Sequence, residues 1–220
     1  MDQEFWNLLT GYGTKIHLCR HVCLNISRQG TADDSFYLLE DGICALMGIT
    51  KKGEETVYLY FYPPRIVGFN QLLMSNSEDP PQEFTIITKT ACTLYRIRFS
   101  AFQDLMTNNP EFNAFLIRTL ADNFYEVLVH FHRRLEESAV AGLSRLLLDV
   151  AQNKEGELVV PKFFTYAELA KYLGSHPVTV SRIMAKLKQM GYITKDRDGI
   201  ILHDPVALKE LVNGDRDLNY

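Results

Sequence analysis

The chain has 220 residues, 23 Lys and Arg against 27 Asp and Glu, and 46% hydrophobic residues. That composition is globular and excludes disordered, collagenous and disulfide-scaffold proteins, while the length suits two small domains. Apolar runs are short (Val57 to Pro64 is typical) and the start Met1-Asp2-Gln3-Glu4 lacks a basic-then-apolar layout, so no membrane span or secretory signal is expected and the expected location is cytoplasmic.

Charge is distributed unevenly. Residues 1–137 carry a net of −5 and residues 138–220 a net of +1, and Lys162 to Arg197 holds seven basic residues against Glu168 and Asp196. A local excess of this kind in an acidic protein marks contact with phosphates. The four cysteines, Cys19, Cys23, Cys44 and Cys92, form no CxxC pair. In a reducing compartment they read as free thiols.

From residue 14 to about 98 the chain reads as short strands separated by turn signals. Ser35 to Leu39 closes on Asp41-Gly42, and Ile43 to Met47 is followed by Lys51-Lys52-Gly53. Thr56 to Tyr60 precedes Pro63-Pro64, and Phe84 to Ile87 and Thr93 to Ile97 come later. This pattern predicts a small antiparallel barrel or sandwich. Near residue 99 the period becomes helical. Pro110-Glu111 opens a segment without Gly or Pro to about Glu137, a helix of roughly 25 residues or ~38 Å. Ile117, Leu120, Phe124, Val127 and Phe131 recur three and four apart on it. A bulky apolar seam of heptad type predicts a second copy against it, hence a homodimer. Ser138 is a cap and hinge. Another helix is expected from Val140 to about Gln152, ending near Asn153 and Gly156.

The segment Phe164 to Ile193 carries the function. Thr165 with Glu168 forms a capping box, Leu169, Ala170 and Leu173 give one apolar face, and Gly174 stops the helix. Ser175 or His176 caps a second helix with Pro177 at its first position. Val180, Ile183, Met184 and Leu187 form its buried face, and Gly191 ends it. This is a helix-turn-helix. Its opposite face offers Thr179, Arg182 and Lys186, with Ser175, His176 and Ser181 beside them. Such a helix fits the major groove, where Arg182 can pair with guanine, Val178 can touch a thymine methyl and the lysines suit phosphates. Tyr192 to Leu202, turning at Asp198-Gly199, reads as a wing.

Taken together these residues resemble the cyclic-AMP receptor (Crp/Fnr) superfamily of bacterial transcription factors over essentially the whole chain. The marks are Arg28-Gln29-Gly30, Phe36 to Gly42, Gly53-Glu54-Glu55, Ile66-Val67-Gly68-Phe69 at the ligand cassette, Lys89 to Cys92, the long helix and the winged motif. The resemblance implies an α+β chain. It has an effector-binding β-roll over residues 1–108, a dimerisation helix over 109–137 and a winged helix-turn-helix over 138–220. It also implies a palindromic duplex operator and RNA polymerase as partners.

The departures bear on the effector. Where cyclic-nucleotide binders hold the phosphate with glutamate, serine and arginine, this chain matches Phe69, Glu83 and Gln82. The adenine-facing hydroxyls match Val127 and Leu128. An anion beside Glu83 with no cation in reach is too costly to desolvate, so cAMP is not expected. Cys19 and Cys23 do not have the spacing of the family's iron–sulfur sensors, so no cluster is expected. His17, Cys19, His21 and Cys23 alternate as on one strand face, but at ~3.3 Å per residue they are too spread to share one metal.

The matched pocket is aromatic and apolar: Tyr58, Leu59, Phe61, Phe69, Ile86, Val127 and Leu128, with Gly68 in the cassette and Asn70, Gln82 and Asn123 as polar handles. That suits a small flat ligand, and the order resembles the halorespiration regulators of the family, which sense chlorinated phenols. The alternatives are a redox- or metal-responsive regulator using Cys19 and Cys23, and a cyclic-nucleotide-binding module controlling an attached enzyme or channel. The motifs HExxH, GxSxG, P-loop and GxGxxG are all missing, so no enzyme is expected.

Overall fold

The computed structural model describes residues 3–24, 35–50, 53–70, 84–218 and 220. The quoted Arg28-Gln29-Gly30, Lys51-Lys52, Gln82 and Glu83 lie outside the described residues. The chain divides into two compact units, Met1–Leu128 and Val129–Tyr220.

The first unit begins with helix α1 (Gln3–Gly11), an element beyond those expected from the sequence. Among the described residues seven strands follow: β1 (Gly13–Leu18), β2 (Ser35–Asp41), β3 (Cys44–Ile49), β4 (Glu55–Phe61), β5 (Arg65–Val67), β6 (Phe84–Thr88) and β7 (Cys92–Arg98). They form two antiparallel sheets, ordered β1-β7-β2-β5 and β4-β3-β6. Helix α2 (Phe99–Asn108) and the long helix α3 (Pro110–Glu136) come next.

The near-continuous burial of β2 reports that both of its faces are covered. Phe36 and Leu38 join Phe5 and Leu9 of α1, Phe102 and Leu105 of α2, and Phe112 and Leu116 of α3. Tyr37 and Leu39 face the other way, into a cluster with Cys44, Leu59, Phe61, Val67, Ile86, Cys92 and Leu94. The first sheet is thus sandwiched between the helices and the second sheet. Alternate β2 residues serve two cores, because successive strand side chains point to opposite faces.

The seam expected on the long helix splits into two faces. Leu120 packs against the helical core and Val127 against the inter-sheet core. Ile117, Phe124 and Phe131 stand 67%, 65% and 60% exposed, and Leu128 and Leu135 are exposed as well. With Ala121, also exposed, the open stripe runs 117, 121, 124, 128, 131, 135, which is a strict alternation of four and three. Leu120 and Val127 are one step off that register and so turn toward their own roll. Leu128 turns away from it.

The second unit takes the last turns of α3, then α4 (Ala139–Val150), whose N-cap Ser138 accepts from Ala141 N at 3.2 Å. The expected helix through Gln152 stops early: β8 (Gln152–Lys154) and β9 (Glu157–Pro161) form a hairpin instead. Its turn places both Glu155 and Gly156 at positive φ, 53° and 92°, and Asn153 Oδ1 accepts from Gly156 N. Helices α5 (Tyr166–Leu173) and α6 (Pro177–Gln189), strands β10 (Ile193–Lys195) and β11 (Gly199–Leu202), and α7 (Pro205–Asn213) complete it. The four strands make one sheet, β10-β11-β9-β8.

Phe112 is fully buried between α2, α3 and β2, in edge contact with Phe102. Phe112→Ala should therefore cost about 3–5 kcal/mol in the unfolding of the first unit, whereas Ile49→Ala, at a site 58% exposed on β3, should cost well under ~1 kcal/mol. Denaturant titration of the two variants checks the difference.

Candidate nucleic-acid interface and effector pocket

Thr165 Oγ1 accepts from Glu168 N at 3.2 Å and starts α5. Glu168 itself is buried, so one of the two acids in the basic segment does not face solvent. Gly174 ends α5 in the left-handed region, φ 62°, with its N–H on Ala170 O. Glycine suits the position because other residues adopt this backbone only under strain. Of the two cap candidates, the structure selects His176, whose Nδ1 accepts from Val178 N at 3.2 Å. A neutral His176 ring with Nδ1 accepting carries its proton on Nε2 and keeps one donor for an external acceptor.

On α6, Val180, Ile183, Met184 and Leu187 are all 1% exposed or less. At about 100° per residue these four span one side of the helix. Val178, Ser181 and Arg182 are exposed on the other side, and Thr179 and Lys186 lie toward its edges. Lys186 Nζ donates to Gln189 Oε1 at 3.3 Å. Ser175 lies in the turn, and His176 is exposed beside the helix start. The structure thus brings all seven sequence-selected residues onto one helix start and its outward face.

The wing follows. Asp196 Oδ1 accepts from Asp198 N and Gly199 N at 2.8 and 3.0 Å, closing the β10–β11 turn. Lys195 and Arg197 are exposed there. Lys195 and Lys188 both lie over the Tyr166 ring, at 4.8 and 5.7 Å from its centroid. This clusters cations from wing and helix on one aromatic platform, a contact that spacing alone does not reveal.

In the first unit the sequence-selected effector residues do not form one set. Leu59, Phe61, Ile86 and Val127 share the inter-sheet core. Phe69 is fully buried in the other, helical core, because the chain leaves β5 at Gly68 (φ 85°) toward the α1 side. Tyr58 sits at the β4 register shift with its ring edge-on to Phe84 at 5.2 Å. Asn70 and Leu128 are exposed. Asn123 is buried and accepts from Arg65 Nη2 at 2.6 Å, and the same guanidinium holds Glu126 at 3.1 Å. Arg65 is the cation that the sequence argument lacks. It stands on β5 and reaches Asn123 and Glu126 on α3, so the desolvation case against an anion rests on Glu126 already pairing with it.

The N-terminal His and Cys residues do not share a strand face. β1 ends at Leu18, His21 adopts φ 65°, and Cys23 forms an isolated bridge with Ile87. Among the described residues no group of three His, Cys, Asp or Glu is placed to hold a metal. Cys19 and Cys23 are exposed, and burial pushes the Cys23 thiol up rather than activating it. Cys44 and Cys92 are buried with sulfurs 3.9 Å apart. The hydrogen bond between the two thiols favours one thiolate over two, lowering Cys92 and, with burial, pushing Cys44 up.

Residues 25–109 match the cyclic nucleotide-binding domain family, and residues 143–211 the Crp-like helix-turn-helix domain. The lactate racemization regulatory protein of Lactiplantibacillus plantarum is 25% identical over 190 residues, 84% of this chain and 85% of that protein. The anaerobic regulatory protein of Pasteurella multocida is 23% identical, covering 84% of this chain and 67% of its own. Matched stretches span from 50% to 85% of the relatives' own lengths. A CRP/FNR-family transcriptional regulator of Thermus thermophilus shares the fold at a TM-score of 0.72 and 20% identity, over 91% of this chain and 98% of that one.

A β-roll of cyclic-nucleotide-binding type joined to a winged helix-turn-helix defines a DNA-binding transcription regulator. The chain belongs to the Crp/Fnr family. No helix among the described residues is long and apolar enough to cross a membrane.

In the second unit, His130 is 9% exposed and its ring packs on Tyr172, tilted by 38° with centroids 4.1 Å apart. Burial first, then Arg134 and Arg133, lower it to about 4, against a backbone hydrogen bond at Tyr172. The folded unit therefore resists protonation that the unfolded chain accepts near 6.5. Stability present at neutral pH is lost as pH falls from about 6.5 toward 4. Between about pH 7 and pH 5 the loss should be on the order of 1–2 kcal/mol, and His130→Gln should flatten it. Denaturant unfolding of the second unit at the two pH values measures it.

Proposed function

We propose that the chain acts as a homodimer that reads a palindromic operator with α6 and answers to a small ligand in the β-roll other than cAMP. The observation that carries the DNA part is the division of α6. Its apolar side is buried, which leaves Val178, Ser181 and Arg182 facing out with Thr179 and Lys186 at the rim. Two such helices about 34 Å apart match successive major grooves on one face of a duplex. The dimer reading is supported by the exposed stripe Ile117, Phe124, Leu128, Phe131 and Leu135, whose four-three alternation is that of a two-helix seam. RNA polymerase is the further partner in this reading.

The ligand reading rests on the inter-sheet core around Leu59, Phe61, Ile86 and Val127, with Asn123 as a buried polar group on the helix that flanks it. Phe69 and Leu128 drop out of that set. Arg65 Nη2 is already taken by Glu126 and Asn123, and that ion pair disfavours a cyclic phosphate there. An apolar or phenolic ligand suits such a lining. Ligand and DNA then strengthen each other reciprocally, since both favour one dimer state.

Arg182→Ala should weaken specific operator binding by about 1–3 kcal/mol in fluorescence anisotropy, with a smaller effect on random duplex. Undiminished operator affinity would show that Arg182 is not the reader. Phe131→Glu should convert the sedimenting dimer to monomer and abolish operator binding at concentrations where the parent saturates; a dimeric variant would contradict the seam. A thermal-shift panel tests the ligand: phenolic acids should raise the melting temperature and cAMP should not, and the reverse pattern rejects the pocket.

A further inference from the structure

Two buried thiols of the first unit take no part in the DNA reading. Cys44 opens β3 and Cys92 opens β7, so they belong to different sheets of the roll. Both lie in the inter-sheet core, 0% and 3% exposed, with their sulfurs 3.9 Å apart. The backbone around them is tied together. Asp41 pairs with Thr93 where β2 meets β7. Ile43 N donates to Thr90 Oγ1 at 2.9 Å, and Ile43 O accepts from Lys89 N at 2.8 Å. Gly42 packs so closely on Cys92 that a Cβ there would fall 2.7 Å from its sulfur. Hydrogen-bonded strand ends, rather than a loop, therefore hold the two cysteines side by side.

One buried cysteine ordinarily serves as a small apolar filler. A facing pair has a second chemistry. A disulfide sets its sulfurs about 2.05 Å apart, which leaves ~1.9 Å to close by rotation of the two side chains. The product is neutral and leaves no charge in an apolar core. A metal is the poorer occupant. Cu(I) on two thiolates would leave a net negative charge there, and Zn(II) would lack half of its four ligands. Among the described residues no third His, Cys, Asp or Glu joins the pair.

We propose that Cys44 and Cys92 form a reversible redox site, a dithiol that hydrogen peroxide oxidises to an internal disulfide joining the two sheets. Cys92 reacts first. It follows the exposed Ala91, whereas Cys44 is wholly enclosed. The Cys44 S–H beside it also favours the thiolate at Cys92. The Cys92 sulfur attacks one peroxide oxygen and the O–O bond breaks. Hydroxide leaves and takes the thiol proton as water, giving a sulfenic acid. The Cys44 sulfur then attacks the Cys92 sulfur, the S–O bond breaks, and a second water leaves with the Cys44 proton. Two electrons pass from the sulfurs to the peroxide. A dithiol reductant reverses the bond by exchange. The link fixes β3 against β7 within the cluster that also holds Leu59, Phe61 and Ile86, so oxidation stiffens the roll around its core.

The test needs neither DNA nor a ligand, which keeps it separate from the regulator reading. The full chain carrying Cys19→Ser and Cys23→Ser, which removes the two exposed thiols, is treated with hydrogen peroxide while folded. Its intact mass should fall by two hydrogen atoms and recover with dithiothreitol. Digestion of the oxidised form should give one linked peptide pair containing Cys44 and Cys92. The oxidised form should also melt at least about 5 °C above the reduced one. In the same background Cys44→Ser should leave a Cys92 sulfenic acid that dimedone traps, and Cys92→Ser should give no adduct at the same dose. Circular dichroism shows whether each single variant folds; where one does not, the linked peptide decides. The site is overturned if both thiols stay free at doses that oxidise the urea-unfolded chain, or if the bond forms between subunits. A lower melting temperature on oxidation, or a dimedone adduct on Cys44 alone, overturns it as well.

Discussion

The rest of the second unit depends on one constraint, the burial of Val180, Ile183, Met184 and Leu187 along a single side of α6. A helix has only two sides to assign. Once four apolar side chains are removed from water, at roughly 1.5–3 kcal/mol each, the helix cannot rotate about its axis without exposing them. That fixes Arg182 and its neighbours outward. The Gly174 turn, the His176 cap and the Thr165 cap set where α6 begins relative to α5. The burial sets which residues it presents.

The same logic of shared faces organises the roll. β2 has no solvent side: its alternate residues feed a helical core and an inter-sheet core. The long helix is likewise divided, with Leu116, Leu120 and Val127 turned to the roll and a four-three stripe turned away. The division of contacts into two units falls within this helix, so one continuous element belongs to both.

Much of the site is legible in the residues because its signals are local. A capping box, a glycine between two short amphipathic helices and a proline at N1 each act within one turn, and together they place α5 and α6. The seam is harder to read, because Leu120 and Val127 fit a helical period as well as their neighbours do. Only the roll's own core decides which apolar stripe it takes. The pocket is obscured for a related reason. Phe69 follows a glycine at positive φ, and no local pattern tells which core receives the next side chain. Arg65 carries no local signal, because its partners Asn123 and Glu126 lie 58 and 61 positions away. The β8–β9 hairpin is hidden by an apparent helical continuation; the helix ends where Ala151 turns extended, and Glu155 and Gly156 close the hairpin at positive φ.

The whole DNA assignment turns on α6 reading base edges in the major groove. The most direct measurement is methylation interference combined with hydroxyl-radical footprinting of the full chain on its strongest genomic fragment. Two protected half-sites centred one duplex turn apart, about 34 Å, are expected, with interference at guanine N7 inside each. Protection without any guanine N7 interference, or a single unpaired footprint, would contradict it.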